Sequence, residues 1–437
     1  MAYRDFSTDQ LSRRSLLRGG AYAGALGAFA SLPMGRAAFA QDQQAAAIYS
    51  RLSSLVDQYV SSGKVANIVV TLGQGMRDPI AIAQGALSLN GSTPADLDSL
   101  YRIYSMTKPV TGMVTMMLID DGLLGLDQPL ADILPAYADM MVQKEYDGAL
   151  TEDNLVAAER PITIRHLLTH TAGLGYGIVQ KGPIQKSYEA QGLIPGQVSR
   201  LPIPGLGRGT PAESLEVFAD RLAQLPLVLQ PGTRWSYSVG LDLLGRVLEV
   251  VEKKPFDQVL QDRLFDPCGM TSTYFRVPQS EVGRLTDNYG VVAGVPVPID
   301  TAANSIYLDQ PAFPFGGAGL VSSPRDYDRF LKMLLGYGKI DGKRVMGELA
   351  VRVGTSNILP AGVTTEGTWV AGEGFGAGGR STNGSYGWGG AAGTLGAVDF
   401  RNSMRTGLYT QYMPTEAYPI REDFMKAMMG EVAAQGA

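Results

Sequence analysis

The stretch Tyr101-Arg102-Ile103-Tyr104-Ser105-Met106-Thr107-Lys108-Pro109-Val110 places a serine three residues ahead of a lysine, at what reads as the start of a helix. Positions i and i+3 share one helix face, so the Lys108 amine can approach the Ser105 hydroxyl. A serine hydroxyl becomes a competent nucleophile only when a neighbouring base takes its proton. A lysine serves as that base where burial or a helix N-terminus holds its pKa below the usual ~10.4. The same helix end favours negative charge on Ser105 or on a bound oxyanion. The tetrapeptide pattern recurs at Ser61-Ser62-Gly63-Lys64, where it reads as a helix ending at Gly63 with no special chemistry. Context has to separate the two serines.

On the N-terminal side, Ile48, Leu52, Leu55, Val56, Tyr59 and Val60 recur at helical spacing before the Gly63 stop. Residues 66–72 and 80–89 are apolar and partly β-branched, and the turn-rich segment between them makes the pair a β-hairpin. A third short strand precedes Tyr104. The Ser105 helix then runs through Val110, Met113, Val114, Met117 and Leu118 to Gly122. Further on, helices are expected at 161–170, 211–224, 238–252, 324–335 and 420–432. The segment 177–209 is so rich in Pro and Gly that regular structure is not expected there. A loop of that length in a compact domain tends to be functional, and this one is expected to cover the site. From Trp369 the pattern turns to strands, with 386–391, 394–400 and 405–411 the clearest.

Strands at both ends with a helical block between them predict an α/β (α+β) fold, an antiparallel β-sheet flanked by helices with an inserted mostly helical domain. The α/β unit takes residues 41–126 and 305–437, and the insert takes 127–304 with its long loop at 177–210. Ahead of these, Ser12-Arg13-Arg14-Ser15-Leu16-Leu17-Arg18, a small-residue apolar run and Ala38-Phe39-Ala40 read as a twin-arginine signal peptide cleaved after residue 40. The expected location is therefore the bacterial periplasm or beyond, with the twin-arginine translocase as a partner during export. The apolar run is shorter than the ~20 residues a membrane span needs.

A net charge of −5, falling to −8 once the five Arg and two Asp of residues 1–40 are removed, gives no basic footprint for nucleic acid or an anionic membrane. The single cysteine, Cys268, cannot form an intramolecular disulfide and reads as a small buried residue. His166 and His170 are the only histidines, four apart on an expected helix. Without a third ligand at a recognisable spacing they read as structural, and no metal or cofactor is implied.

A lipase-type α/β-hydrolase would need Gly-x-Ser-x-Gly and a late histidine. The pentapeptide is absent, and the last 267 residues hold no histidine. The base for Ser105 is therefore Lys108, Tyr237 or both.

Ser105-x-x-Lys108, Tyr237-Ser238 and Trp388-Gly389-Gly390 come in the order and approximate spacing of the three motifs of the penicillin-binding-protein and class C β-lactamase superfamily. The connecting text is similar too, at 164–174, 230–238 and 316–324. Over residues 45 to 435 the chain most resembles the β-lactamase-like carboxylesterases usually called family VIII. The resemblance implies an acyl-enzyme on Ser105, with Lys108 and Tyr237 handling its proton. It also implies an oxyanion hole at the backbone N–H groups of Ser105 and Ala391. Gly389 and Gly390 fit a strand edge that a substrate approaches closely, and Trp388 fits a pocket wall.

Two departures from the superfamily pattern bear on substrate. The third motif carries neutral Trp388 where lactamases have a lysine, and the second carries Val239 where class C enzymes have an amide-binding Asn. Both weaken recognition of anionic, amide-bearing substrates. The expectation is a serine carboxylesterase acting on small neutral esters, with water as acyl acceptor. The rivals are β-lactamase or D-alanyl-D-alanine carboxypeptidase activity, an acyltransferase of the same fold, and a non-catalytic binding relative.

Overall fold

The computed structural model describes residues 48–201 and 209–435. The signal peptide read at residues 1–40 and residues 202–208, near the end of the 177–210 loop, lie outside them. Helix α1 (Ser50–Ser61) buries Leu52, Val56 and Tyr59 along one stripe. Gly63, in the left-handed region, turns the chain into strand β1 (Asn67–Gln74), which pairs antiparallel with β2 (Ile80–Gly85).

Five more strands come from the C-terminal end: β3 (Gly374–Phe375), β4 (Arg380–Thr382), β5 (Ser385–Gly389), β6 (Leu395–Asp399) and β7 (Met404–Tyr409). The sheet order is β3-β4-β5-β6-β7-β1-β2, with every neighbouring pair antiparallel. Strand β7 pairs with β1 from Val69 opposite Tyr409 to Gln74 opposite Met404, so the two ends of the chain meet in the middle of one sheet. Residues Asn67 to Gly73 are all buried, which requires cover on both faces. Helix α1 and the terminal α8 (Ile420–Gln435) pack together on one side, and α7 (Pro324–Leu335) packs on the other.

A buried ion pair clamps α7 to the sheet. The Arg405 guanidinium reaches Asp328 at 2.8 and 2.9 Å and also caps the Arg77 carbonyl at 2.8 Å. Its cross-strand neighbour is Gly73, where any Cβ would collide with the guanidinium.

Helix α2 (Thr107–Asp120) is buried on every side from Thr107 to Leu118, as a run that is apolar or small apart from Lys108 allows. It lies between β5 and α6 (Gly240–Glu252), against which α3 (Ile164–Leu168) and α5 (Leu215–Ala223) pack in turn. Helix α4 (Pro183–Ala190) joins the same core through Ile184 and Tyr188. The span 127–304 also contains two hairpins, Met141–Gln143 with Leu155–Ala157 and Asn288–Val292 with Val295–Asp300. The second pairs in parallel with Tyr412–Met413, at the far end of the chain.

Four local expectations change. Helix α4 forms inside the Pro/Gly-rich stretch, because left-handed Gly182 and Pro183 at the first helical position start a helix rather than break one, and Ile184 and Tyr188 bury one face. Ser105 sits on a 3₁₀ turn, Tyr104–Met106, and α2 begins only at Thr107. Helix α3 stops at Leu168, so His170, at φ +55, has left it. Trp369 lies in a turn ahead of β3 and not in a strand.

Candidate active site

The Ser105 turn is held from behind. Tyr101–Arg102 pairs with Val321–Ser322, and Arg102, fully buried, bonds Asp300 at 2.7 Å and the Thr286 carbonyl at 2.5 Å. Tyr104 then takes a left-handed φ of +42, which reverses the chain just before the serine. With α2 starting two residues later, Lys108 comes round to the same side. Its Nζ lies 3.3 Å from Ser105 Oγ and 2.7 Å from the Gly317 carbonyl oxygen. The side chain is fully buried, and among the described residues no carboxylate lies within ion-pair distance of it. Two aromatic faces take that place, with Nζ 4.6 Å from the Tyr237 ring centre and 5.5 Å from that of Tyr176.

Tyr237 reaches the site from an extended stretch just before α6. It is buried among rings, with centroids at 4.7 Å for His170, 5.0 Å for Trp369, 5.3 Å for Tyr176 and 5.8 Å for Trp388. Its phenol oxygen accepts the Trp388 indole N–H at 3.1 Å. The Lys108 amine thus lies within hydrogen-bond distance of the Ser105 hydroxyl and over the Tyr237 ring. The rejected Ser61 ends α1 on the surface, and Lys64 lies over the Tyr59 ring at 5.2 Å.

One buried carboxylate behind Lys108 escaped the reading of the sequence. Asp242 Oδ1 accepts the Gly317 N–H at 2.8 Å, and the carbonyl of that same residue holds Lys108. Its Oδ2 has no hydrogen-bond partner. Burial pushes the carboxyl up to about 6, against the pull of Lys108 and of the Gly317 N–H. The available signal was an acidic residue inside the apolar run Leu241-Asp242-Leu243-Leu244.

The histidines serve the two ends of α3 separately. His166 Nδ1 accepts the Thr163 N–H at 3.2 Å while Thr163 Oγ1 accepts the His166 N–H, a capping box. Burial lowers its pKa to about 4. His170 Nδ1 accepts the Ser238 N–H at 3.2 Å, and burial followed by the Lys108 charge holds this imidazole well below its ordinary range.

The third motif ends β5. Gly390 donates its N–H to the Thr394 carbonyl at 2.8 Å, and a Cβ there would collide with the Ile103 carbonyl oxygen, so the strand end lies directly against the Ser105 turn. Ala391 stands in the turn that follows, its carbonyl accepting Thr415 Oγ1 at 2.8 Å. Among the described residues, the N–H groups of Ser105 and Ala391 have no hydrogen-bond partner. Beside them, Val198 from the long loop packs with Ile299, Ala318, Ala391 and Tyr104, so part of that loop flanks the site. Val239 is buried, with its N–H on the Gly175 carbonyl.

The beta-lactamase family profile matches residues 40–427. An uncharacterised protein of Mycobacterium tuberculosis is 36% identical over 269 residues, 62% of each chain, so the match spans less than two thirds of that relative's length. Esterase EstB of Burkholderia gladioli is 29% identical over 66% of this chain and 71% of its own. Among solved structures, EstCE1, described as a hydrolase with promiscuous acyltransferase activity, superposes with a TM-score of 0.70 at 24% identity. That match covers 89% of this chain and 99% of EstCE1.

Proposed function

Because the chain belongs to the beta-lactamase family, with an esterase among its relatives, we propose that it is a serine carboxylesterase acting on small neutral esters. The observation that carries the reading is the Lys108 amine, 3.3 Å from the Ser105 hydroxyl and against the Tyr237 ring, in a site whose third motif supplies an indole and no cation. Ser105 Oγ attacks the ester carbonyl, and its proton passes to the Lys108–Tyr237 pair. The tetrahedral oxyanion is received by the N–H groups of Ser105 and Ala391. Collapse expels the alkoxide, which takes the proton from the pair, and leaves an acyl ester on Ser105. Water, deprotonated by the same pair, then attacks that ester, and collapse releases the acid as the pair returns the proton to Ser105 Oγ. A substrate carboxylate meets no lysine at position 388, and Val239 offers no amide to an acylamino side chain, so lactam turnover is expected to be slight.

Acyl transfer to an alcohol in place of water is the second reading, favoured by methylbutanoyltransferases of Penicillium citrinum and Aspergillus terreus at 28% and 30% identity. Hydrolysis of p-nitrophenyl butyrate tests the first. Ser105→Ala should abolish it, Lys108→Ala and Tyr237→Phe should each lower it by roughly 10²-fold or more, and Ser61→Ala should leave it intact. Loss of activity in Ser61→Ala, or nitrocefin turnover rivalling that of the ester, would sink the proposal. Release of nitrophenol that speeds up with added alcohol would move the enzyme to the second reading.

A further inference from the structure

We propose that Arg421 acts as a positioning residue that polarises the oxyanion hole from behind, a role that rests on Ala391 being one of its two donors. Gly390 C=O and Ala391 N–H belong to one peptide unit. The Arg421 guanidinium donates through Nη2 both to that Gly390 carbonyl and to the Thr394 carbonyl, the latter at 2.7 Å. The cation therefore grips the oxygen end of the very amide whose N–H end faces the reacting carbonyl. Hydrogen bonds in series polarise one another, so drawing charge onto the oxygen makes the N–H a stronger donor.

Three features set Arg421 apart from a simple brace. The two fully buried arginines of the fold are neutralised, Arg102 by Asp300 and Arg405 by Asp328, whereas half-buried Arg421 has no carboxylate paired with it among the described residues. Its charge is left to act on its surroundings. It also stands in the first turn of α8, where the helix dipole disfavours a cation and where Glu422 and Asp423 are the expected residue type. A locally unfavourable residue is a sign of a requirement elsewhere. Finally, Gly389 gives it room: a Cβ there would sit 2.9 Å from the guanidinium carbon, so the glycine of the third motif admits the cation as well as the substrate.

The test reads the carbonyl itself. The acyl-enzyme formed from p-nitrophenyl cinnamate carrying a ¹³C carbonyl is followed by infrared difference spectroscopy in wild type, Arg421→Gln and Arg421→Lys. In wild type the ester carbonyl band should lie below that of the free ester in water. Arg421→Gln should move it up, lower kcat for p-nitrophenyl butyrate by roughly 10- to 100-fold, less than the loss of a donor outright, and leave KM within about threefold. Arg421→Lys, which keeps the charge but not the two-carbonyl grip, should fall between. Millimolar guanidinium should restore part of kcat to Arg421→Gly. A band that stays put in Arg421→Gln, or in Arg421→Lys should the first variant not fold, overturns the role of Arg421. Failure of the wild type to hydrolyse p-nitrophenyl butyrate would overturn the esterase reading instead, so the two failures are distinct.

Discussion

The phenol oxygen of Tyr237 accepts the Trp388 indole N–H at 3.1 Å, so its own proton is directed away from the tryptophan. Where the superfamily's third motif supplies a lysine, this chain supplies a neutral donor on a rigid ring. Arg380 lies against that ring, its guanidinium carbon 5.8 Å from the centre, and keeps it in place. An indole N–H holds the phenol oxygen without adding charge to a site where Lys108 already lacks a carboxylate partner. Trp388→Phe keeps the aromatic wall and removes only the donor. A neutral hydrogen bond is worth about 1 kcal/mol net, so kcat/KM should fall roughly 5- to 10-fold. Ester binding and melting temperature should change little. Unchanged kcat/KM in Trp388→Phe would reduce Trp388 to a wall.

At the scale of elements, the site is made where the end of β5 meets the turn at 104–106. Gly390 makes that approach possible, since a Cβ would strike both the Ile103 carbonyl and the Thr394 hydroxyl. In Gly390→Ala the strand end has to retreat, with the overpacking cost of about 1–3 kcal/mol. Its melting temperature should drop by several degrees, and kcat should fall further than the stability loss accounts for, because the Ala391 N–H moves with the strand. These two pieces lie almost 290 positions apart, yet each was readable on its own. The hairpin, the late strands, α6 and α7 carry apolar periodicity, α2 is a long run of apolar and small residues, and Ser105, Lys108 and Tyr237 sit inside recognisable motifs. What periodicity could not supply was contact across space. Asp242 is by type only a polar residue in an apolar helix, and only the fold sets it against Gly317. Arg421 is by type only one more charge on a terminal helix. Helix α4 was hidden because proline and glycine counted against it, although both stand at its start, where they are compatible with a helix. The 3₁₀ turn under Ser105 depends on a left-handed tyrosine, a conformation that no residue-type preference announces.

Across the whole molecule, the titratable groups buried around the site set how stability responds to acid, and they pull in opposite directions. His166 titrates near 4 in the folded chain, against about 6.5 when unfolded. Its folded pKa is depressed, so the stability it contributes is present above pH 6.5 and is lost as pH falls toward 4. The size is about 3 kcal/mol. His170, lowered further by complete burial and by Lys108, acts in the same sense from the same starting pH. Asp242 is raised to about 6, so its contribution is present below about pH 4 and is lost as pH climbs through 6, again by about 3 kcal/mol. Between pH 4 and 6.5 the carboxyl offsets roughly one histidine, and the second tips this cluster toward acid lability. His166→Gln keeps the capping box, because a Gln oxygen can accept the Thr163 N–H, and removes one titration. Relative to wild type it should gain denaturation midpoint progressively as pH is lowered from 7 to 4.5. Asp242→Asn should do the reverse, gaining at pH 7 and giving up that advantage by pH 4.5. Urea midpoints of the three proteins at half-unit pH steps decide the matter, and parallel curves for His166→Gln and wild type would show that the buried imidazole does not titrate as its surroundings demand.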